Sequence, residues 1–435
     1  MSTGLAKLWM GAKVIALFVV CLLPFTPNWQ AAEKEKDDRG RTIVRYCDSV
    51  APERQQATLE LMAAFEKENP DIKVVVEFVP SNNFLATILS RFAAGRAPDV
   101  LRISMTNVGT LASKGLFVDL NPYAKRDRLD LSDFYHQALT GFTFNDELIG
   151  LPYYCGAVIL AYNLDLFDAD GVRYPSEDWT WSDMRSAALR LTHDLNGDGH
   201  TDQYGIEVTG NNILSPLVFA ESSWLDSDRK TWRGDSPRTL EAMQFCYDLI
   251  TKDHVSPYLF EAREFGFGHL GLLLGGKAAM CGIGPWDLKL LRKSNLRWQV
   301  AEFPPRTKGA PRGSRWSGEA YTITVHCRNR DAGWRLVKFM VSDRAQLSVV
   351  KLGEGIPARR SIAERYFVSP DTPCHEELFL RAVEYAKFTD EFFRPEFASE
   401  LSAYVNTMMM GNISPREAMT RFAPMAKLLL KDEKL

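Results

Sequence analysis

Ile72-Lys-Val-Val-Val-Glu-Phe-Val79 is an apolar run rich in β-branched residues, and it reads as a strand. On its N-terminal side, Ala57, Leu61, Ala64 and Phe65 recur at helical spacing. Pro52 opens that helix and Pro70 stops it, with a short strand before it at residues 42–46. On the C-terminal side, residues 83–94 carry Leu85, Ile88, Leu89 and Phe92 on one helical face, and Gly95 ends the pattern. Residues 99–103 form the next strand. The order β-α-β-α-β predicts a parallel sheet with right-handed crossovers. Ligands of such sheets bind outside the carboxyl ends of the strands. Cys47-Asp48-Ser49, Ser81-Asn82-Asn83 and Ser104-Met105-Thr106-Asn107 are therefore expected on one rim.

A second alternating stretch follows Pro152. Strands are expected at residues 158–162, 205–208 and 278–283, the last running into Gly284-Pro285-Trp286. Helices are expected from Trp179-Thr180-Trp181-Ser182 to Leu191 and over residues 239–251. A strand at 321–326, a helix at 332–341 and a helical tail from Glu376 to Lys431 complete the pattern. Two α/β units suit 435 residues better than one continuous sheet. The chain is 46% hydrophobic and 25% charged, which excludes a disordered chain and a polytopic membrane protein. The net charge of −3 leaves no electrostatic footprint for nucleic acid.

The first 32 residues read as an export signal rather than as fold. Lys7 and Lys13 precede an apolar run from Val14 to Phe25 that is too short to span a bilayer. Cleavage near Ala31 or Ala32 is expected; retention as an anchor, or lipidation at Cys21, are the alternatives. Removal takes two lysines and no acid, so the net charge moves from −3 to −5. Cys47, Cys155, Cys246, Cys281, Cys327 and Cys374 remain, scattered and without zinc spacing. In an exported chain they form one or two disulfides or stay as buried thiols.

Several segments, in order, resemble the family 1 extracellular solute-binding proteins. They include Phe65-Glu-Lys-Glu-Asn-Pro-Asp-Ile-Lys-Val-Val-Val, Ala94-Gly-Arg-Ala-Pro-Asp-Val100 and Leu111-Ala-Ser-Lys-Gly-Leu-Phe-Val-Asp-Leu120. Gly150-Leu-Pro-Tyr153, Tyr162-Asn-Leu-Asp-Leu-Phe167, Gly284-Pro-Trp286, Gly355-Ile-Pro-Ala-Arg359 and Gly411-Asn-Ile-Ser-Pro-Arg-Glu-Ala418 continue the set. These proteins are the substrate receptors of carbohydrate ABC importers, with the maltose-binding protein as a distant relative. The resemblance implies a two-lobe type II periplasmic-binding-protein fold, each lobe a mainly parallel sheet flanked by helices. It implies an N-terminal lobe of residues 41–152 plus 306–353 and a C-terminal lobe of 153–305 plus 354–435. The crossings fall near Pro152, Pro304-Pro305 and Gly353–Gly355. A solute is held between the lobes by hinge closure and handed to permease subunits by a monomeric receptor.

A pyranose offers an apolar C–H face and an edge of hydroxyls, so its site needs an aromatic plate and planar polar groups. By its place in Gly-Pro-Trp, Trp286 is the stacking candidate; packed core is its alternative. Trp316-Ser317-Gly318-Glu319 matches a loop where backbone approaches the solute, and Glu319 departs from the usual family residue there. Glu319 is either a hydroxyl acceptor or a surface carboxylate. Asp48, Ser104, Thr106 and Asn107 lie on the expected rim, with helix capping as the alternative. Tyr154, Asn212 and Arg359 complete the set.

Asp194-x-Asn196-x-Asp198-Gly199-x-x-Asp202 has the first half of a calcium-loop spacing, but Gly205 stands where the closing Glu belongs. It is a calcium loop or an Asx-rich turn. Residues 271–278 nearly match a P-loop but lack its Ser or Thr, and the Leu run reads as a packed helix. No nucleophile elbow or zinc-protease motif is present, and the seven His form no ligand cluster. No metal, cofactor or catalytic residue is expected. A secreted glycoside-acting enzyme and a receptor for a polyol phosphate are the rivals. The second would need a cluster of Arg at the cleft, for which Arg359 is the clear sequence candidate.

Overall fold

The computed structural model describes residues 35–49, 52–209, 211–226, 230–264, 269–368, 374–388 and 394–431. The expected signal segment, with Cys21, lies outside them. Eleven strands are described: β1 (Thr42–Asp48), β2 (Ile72–Phe78), β3 (Val100–Ser104), the hairpin β4 (Thr143–Phe144) and β5 (Glu147–Leu148), β6 (Leu151–Ala157), β7 (Ile159–Asn163), β8 (Met280–Ile283), β9 (Trp298–Ala301), β10 (Trp316–Ile323) and β11 (Ile356–Pro357).

The larger sheet has the order β11-β6-β10-β3-β1-β2. β1 lies parallel to both β2 and β3, as the alternation predicts. The helix Pro52–Glu68 links β1 to β2, and the helix Phe84–Ala93 links β2 towards β3. Phe84, Ile88 and Phe92 are buried at every fourth position of the second helix, one stripe against the core. The remaining pairings, β10 with β3 and β6, and β11 with β6, are antiparallel. The smaller sheet, β8-β7-β9, is antiparallel throughout, with parallel character only in bridges at Tyr204–Ala278 and Glu207–Cys281. This corrects the expectation of mainly parallel sheets. The cause is connectivity: β6 leads out of the larger sheet through Val158 directly into β7. β10 returns from the smaller sheet, so it enters in the opposite direction.

The larger sheet buries Tyr46, Phe65, Leu101, Ile103, Phe142, Tyr321 and Trp334 in one core. Trp181, Leu217, Met243, Met280, Phe397 and Phe422 belong to a second. Ile356, Ala363, Phe379, Val383 and Ala386 join the first core, and Phe397, Leu401, Phe422 and Leu430 join the second. Local signals hold the helix ends. Thr180 and Asp183 form a capping box for Trp181–Arg190, and Gly353, at φ 65°, terminates Asp343–Leu352 in the left-handed conformation.

All six cysteines after the expected signal are free and buried, the second of the two readings above. Among the described residues, no helix is long and apolar enough to cross a membrane. In the 194–202 loop, the Asp194 carboxylate accepts the Gly197 and Gly199 amides, each at 2.8 Å, and Asp202 accepts the Leu195 amide at 2.9 Å. The loop is thus an Asx-turn device whose carboxylates serve its own backbone. Leu272 and Leu273 of the P-loop-like run are buried in cores.

Candidate ligand-binding cleft

All three loops beyond the carboxyl ends of β1, β2 and β3 open on one cleft of about 600 Å³, lined by Ser49, Ser81, Ser104, Met105, Thr106 and Asn107 among others. Strands β6 and β10 supply Tyr153, Tyr154, Gly318 and Glu319, and the opposite wall supplies Trp286 and Lys289. Seven of the sequence candidates therefore line it: Ser104, Thr106, Asn107, Tyr154, Trp286, Gly318 and Glu319.

The cleft floor is a connected set of charged and phenolic groups. Arg102 on β3 donates from Nη1 to Asp48 at 2.7 Å and to the Ser49 carbonyl at 2.9 Å, and from Nε to the Tyr153 hydroxyl at 2.9 Å. Its other terminal nitrogen is ion-paired with Glu319. Arg54, at the start of Pro52–Glu68, donates to the Tyr153 hydroxyl at 3.0 Å and the Tyr321 hydroxyl at 3.1 Å, and pairs with Glu354. Tyr153 donates in turn to Glu319 at 3.0 Å, and the Arg54 guanidinium lies 4.7 Å from its ring centroid.

Asp48 is fully buried beneath this floor, 2.6 Å from the Tyr46 hydroxyl that donates to it. Burial by itself raises its carboxyl; the Arg102 and Arg54 charges and the Tyr46 hydrogen bond reverse that and hold it below the ordinary carboxylate range. Burial pushes the Tyr153 hydroxyl far above its ordinary value, keeping it a proton donor.

A change of register explains why Tyr153 and Tyr154, neighbours in sequence, both face the cleft. Glu319 is opposite Tyr154, yet the next residue, Ala320, is opposite Pro152. Such a bulge breaks the strict alternation of faces and re-aims side chains. Sequence reading gave Tyr154 as a candidate and missed Tyr153.

Trp286 sits in a short 3₁₀ turn, Pro285–Asp287, half-buried against the second core. A Cβ on Gly284 would fall 2.2 Å from the Trp286 ring, and one on Gly355 would fall 2.6 Å from the Tyr154 ring. The two aromatic plates depend on glycine for their seating. Lys289 follows one turn after Trp286, on the helix Leu288–Lys293.

Four candidates do not line the cleft. Asp48 is below it, as described, because the end of β1 is covered by Arg54 and Arg102. Trp316 is fully buried, packed edge-on against Phe142 and beside Phe388. Asn212 is buried behind Trp286; it donates to the Gly282 carbonyl at 3.1 Å and accepts from Arg315, whose guanidinium is 6.0 Å from the Trp286 ring. Arg359 pairs with Asp133 and Asp343 away from the cleft. The arginines at the cleft are Arg54 and Arg102, which corrects the choice of Arg359. Arg102 had a sequence signal, a charge inside the apolar strand Val100-Leu-Arg-Ile103 that calls for a buried partner. Arg54 had none.

Three comparisons agree with this architecture. The model of the bacterial extracellular solute-binding protein family matches residues 51–347. A galactooligosaccharide-binding protein of Bacillus subtilis is 22% identical over 438 residues, covering 97% of this chain and 98% of its own. A maltotriose-binding protein of Pyrococcus abyssi is 22% identical over 322 residues, covering 73% and 66%. Among solved structures, an ABC substrate-binding protein from Listeria monocytogenes in complex with cycloalternan superposes with a TM-score of 0.77 at 23% identity, covering 89% of this chain and 98% of that one. The sugar-binding protein MalE from Xanthomonas citri superposes at 0.75 with 21% identity, covering 89% and 97%. The fold is thus the two-lobed type II arrangement, with the two sheets as the lobes' frames. By the family match over residues 51–347, the chain belongs to the bacterial extracellular solute-binding proteins.

Proposed function

We propose that this protein is an extracytoplasmic receptor that takes an uncharged sugar or oligosaccharide into the cleft between its lobes and delivers it to the permease of an ABC importer. One observation carries the reading: an aromatic plate, Trp286, faces a floor of planar polar groups, and the charges of the cleft as a whole cancel. Arg54, Arg102 and Lys289 are balanced by Asp48, Glu319 and Glu354. Both arginines are already engaged by carboxylates, so the floor offers little net attraction to a phosphate and many directed partners to hydroxyls. That argues against the polyol-phosphate rival. The oligosaccharide binders among the relatives support the same ligand class.

Ser104, Thr106, Asn107, Tyr154, Gly318 and Glu319 would grip hydroxyls from one lobe while Trp286 covers the apolar sugar face from the other. The lobes close about the segments that join them, at Val158 between β6 and β7, between β9 and β10, and between residues 386 and 397, and the ligand stabilises the closed form by its contacts to both. Residues 1–32 serve export. The protein acts as a monomer and leaves its ligand intact. In keeping with that, each cleft carboxylate is paired with a guanidinium, whereas a glycosidase acid needs an apolar setting that retains its proton.

A thermal-shift and calorimetric panel of mono- and oligosaccharides against sugar phosphates tests the proposal. A stabilised melting transition with a neutral saccharide, recovered uncut, is expected. Binding confined to phosphorylated compounds would overturn it.

A further inference from the structure

The segments that join the two units pass one another at Val158, at residues 314–316 and at Lys387. Val158 lies between β6 and β7, residues 302–315 lead from β9 into β10, and Lys387 follows the last residue of the first core. Ser314 is fully buried there; its hydroxyl donates to the Val158 carbonyl at 2.8 Å, and its carbonyl accepts the Lys387 amide at 2.9 Å. The Arg315 carbonyl accepts the Val158 amide at 3.1 Å, and the Trp316 amide donates to the Lys387 carbonyl at 2.9 Å. The chain at 314–316 is thus bonded to both of the other segments. From this crossing the Arg315 side chain reaches the cleft wall. Its guanidinium donates to Asn212 Oδ1 at 2.8 Å and lies 6.0 Å from the centroid of the Trp286 ring, behind the indole. Asn212 in turn donates to the Gly282 carbonyl of β8, the strand that leads into the Trp286 turn, at 3.1 Å.

We propose that Arg315 is a positioning residue that couples the stacking plate to the hinge, so that rotation of the lobes turns Trp286 as well as bringing it nearer the floor. Rotation about the joining segments changes the backbone at 314–316, because that backbone is one of them. The guanidinium carries the change outward. It is planar, its donors are fixed in one plane, and it is held at once by the Asn212 carbonyl and by the ring. A lysine ammonium keeps the charge but not the fork. The plate has a second neighbour from the larger sheet. A Cβ on Gly156, near the end of β6, would fall 2.6 Å from the Pro285 ring and 3.2 Å from the Trp286 ring. That contact is steric and sets how close the turn lies to β6, whereas Arg315 supplies a directed bond through Asn212. Trp286 therefore takes its stacking pose as part of closure. The proposal deepens the receptor reading above and rests on it.

The test is fluorine NMR of the full chain labelled with fluorotryptophan, without ligand, the Trp286 resonance being the one lost in Trp286→Phe. Ser314→Ala removes the hydroxyl bond to Val158 and so perturbs the crossing. It is compared in the parent, in Arg315→Met and in Arg315→Lys. Ser314→Ala should displace the Trp286 resonance in the parent, and that displacement should shrink by about half or more in the Arg315→Met background, as it does for coupled residues. Arg315→Lys should retain part of it. The resonance of Trp334, in the first core, should stay in place throughout, which separates the link from general loosening. A displacement of equal size with and without Arg315 would overturn the link and assign the coupling to Gly156. An unmoved Trp286 resonance in Ser314→Ala would overturn it as well. Should Arg315→Met fail to fold, the Arg315→Lys background makes the same comparison. If no neutral saccharide stabilises the parent but the displacement depends on Arg315, the receptor reading fails and the link stands; if a saccharide binds and the displacement ignores Arg315, the link fails and the receptor reading stands.

Discussion

The two walls of the cleft are built on opposite principles. The floor, on the larger sheet, is a charged lattice in which Arg54, Arg102, Asp48, Tyr153, Glu319 and Glu354 are hydrogen-bonded or ion-paired to one another. The facing wall is sparse: Trp286 and Lys289 on a short turn and helix, with Arg315 and Asn212 behind the indole. A lattice of this kind is stiff, because moving one member leaves buried charge uncompensated. A half-buried ring on a 3₁₀ turn is held by packing and can meet different sugar faces. The contrast suggests that the floor fixes hydroxyl geometry, while the wall supplies apolar contact.

The largest expected effect lies in the floor. Arg102→Met removes the partner of a fully buried carboxylate, and breaking such a pair costs about 3–5 kcal/mol. A urea titration checks it; a loss under about 1 kcal/mol would mean that the lattice is not stiff. Trp286→Ala should leave folding nearly intact and weaken saccharide binding by about 1–3 kcal/mol, from the apolar area of an indole. Unchanged affinity in calorimetry would take Trp286 out of the site and collapse the contrast.

Acid sharpens the comparison. The folded-state pKa of Asp48 is held below its unfolded value, so its contribution to stability is fully present above about pH 4 and is lost as pH falls through the folded value. Urea midpoints measured from pH 5 down to pH 2 should drop most steeply at the acid end, and less so in Asp48→Asn. The same descent in both proteins would assign acid sensitivity elsewhere. The smallest effect is expected at Arg359→Ala, whose partners Asp133 and Asp343 are remote from the cleft. Ligand affinity should be unchanged, and stability should fall by no more than about 1 kcal/mol. A clear loss of affinity would return Arg359 to the site.

The two walls also differ in how far they could be read in advance. The rim loops at Ser49, Ser81 and Ser104–Asn107 followed from the strand order, since the carboxyl ends of parallel strands share an edge. Trp286 followed from its place after an apolar strand and from a family-like triplet. Tyr153 was missed, because its place beside Tyr154 in the cleft comes from the bulge opposite Glu319, which exists only once β6 and β10 pair. Trp316 misled for the opposite reason: its loop is at the cleft, but its ring points into the core formed with Phe142.

By itself, the sequence determined the local matters: strand and helix order in the first unit, their caps and stops, and which loops could meet. It did so because periodicity, prolines and capping residues act within a few positions of themselves. The tertiary structure alone decided which charges are neighbours. Arg54 and Glu354 are 300 residues apart, and Arg102 and Glu319 lie on strands that become adjacent only when β10 enters the sheet antiparallel to β3. Electrostatic partnership depends on distance through space and on burial, and neither is written in the spacing of residues along a chain.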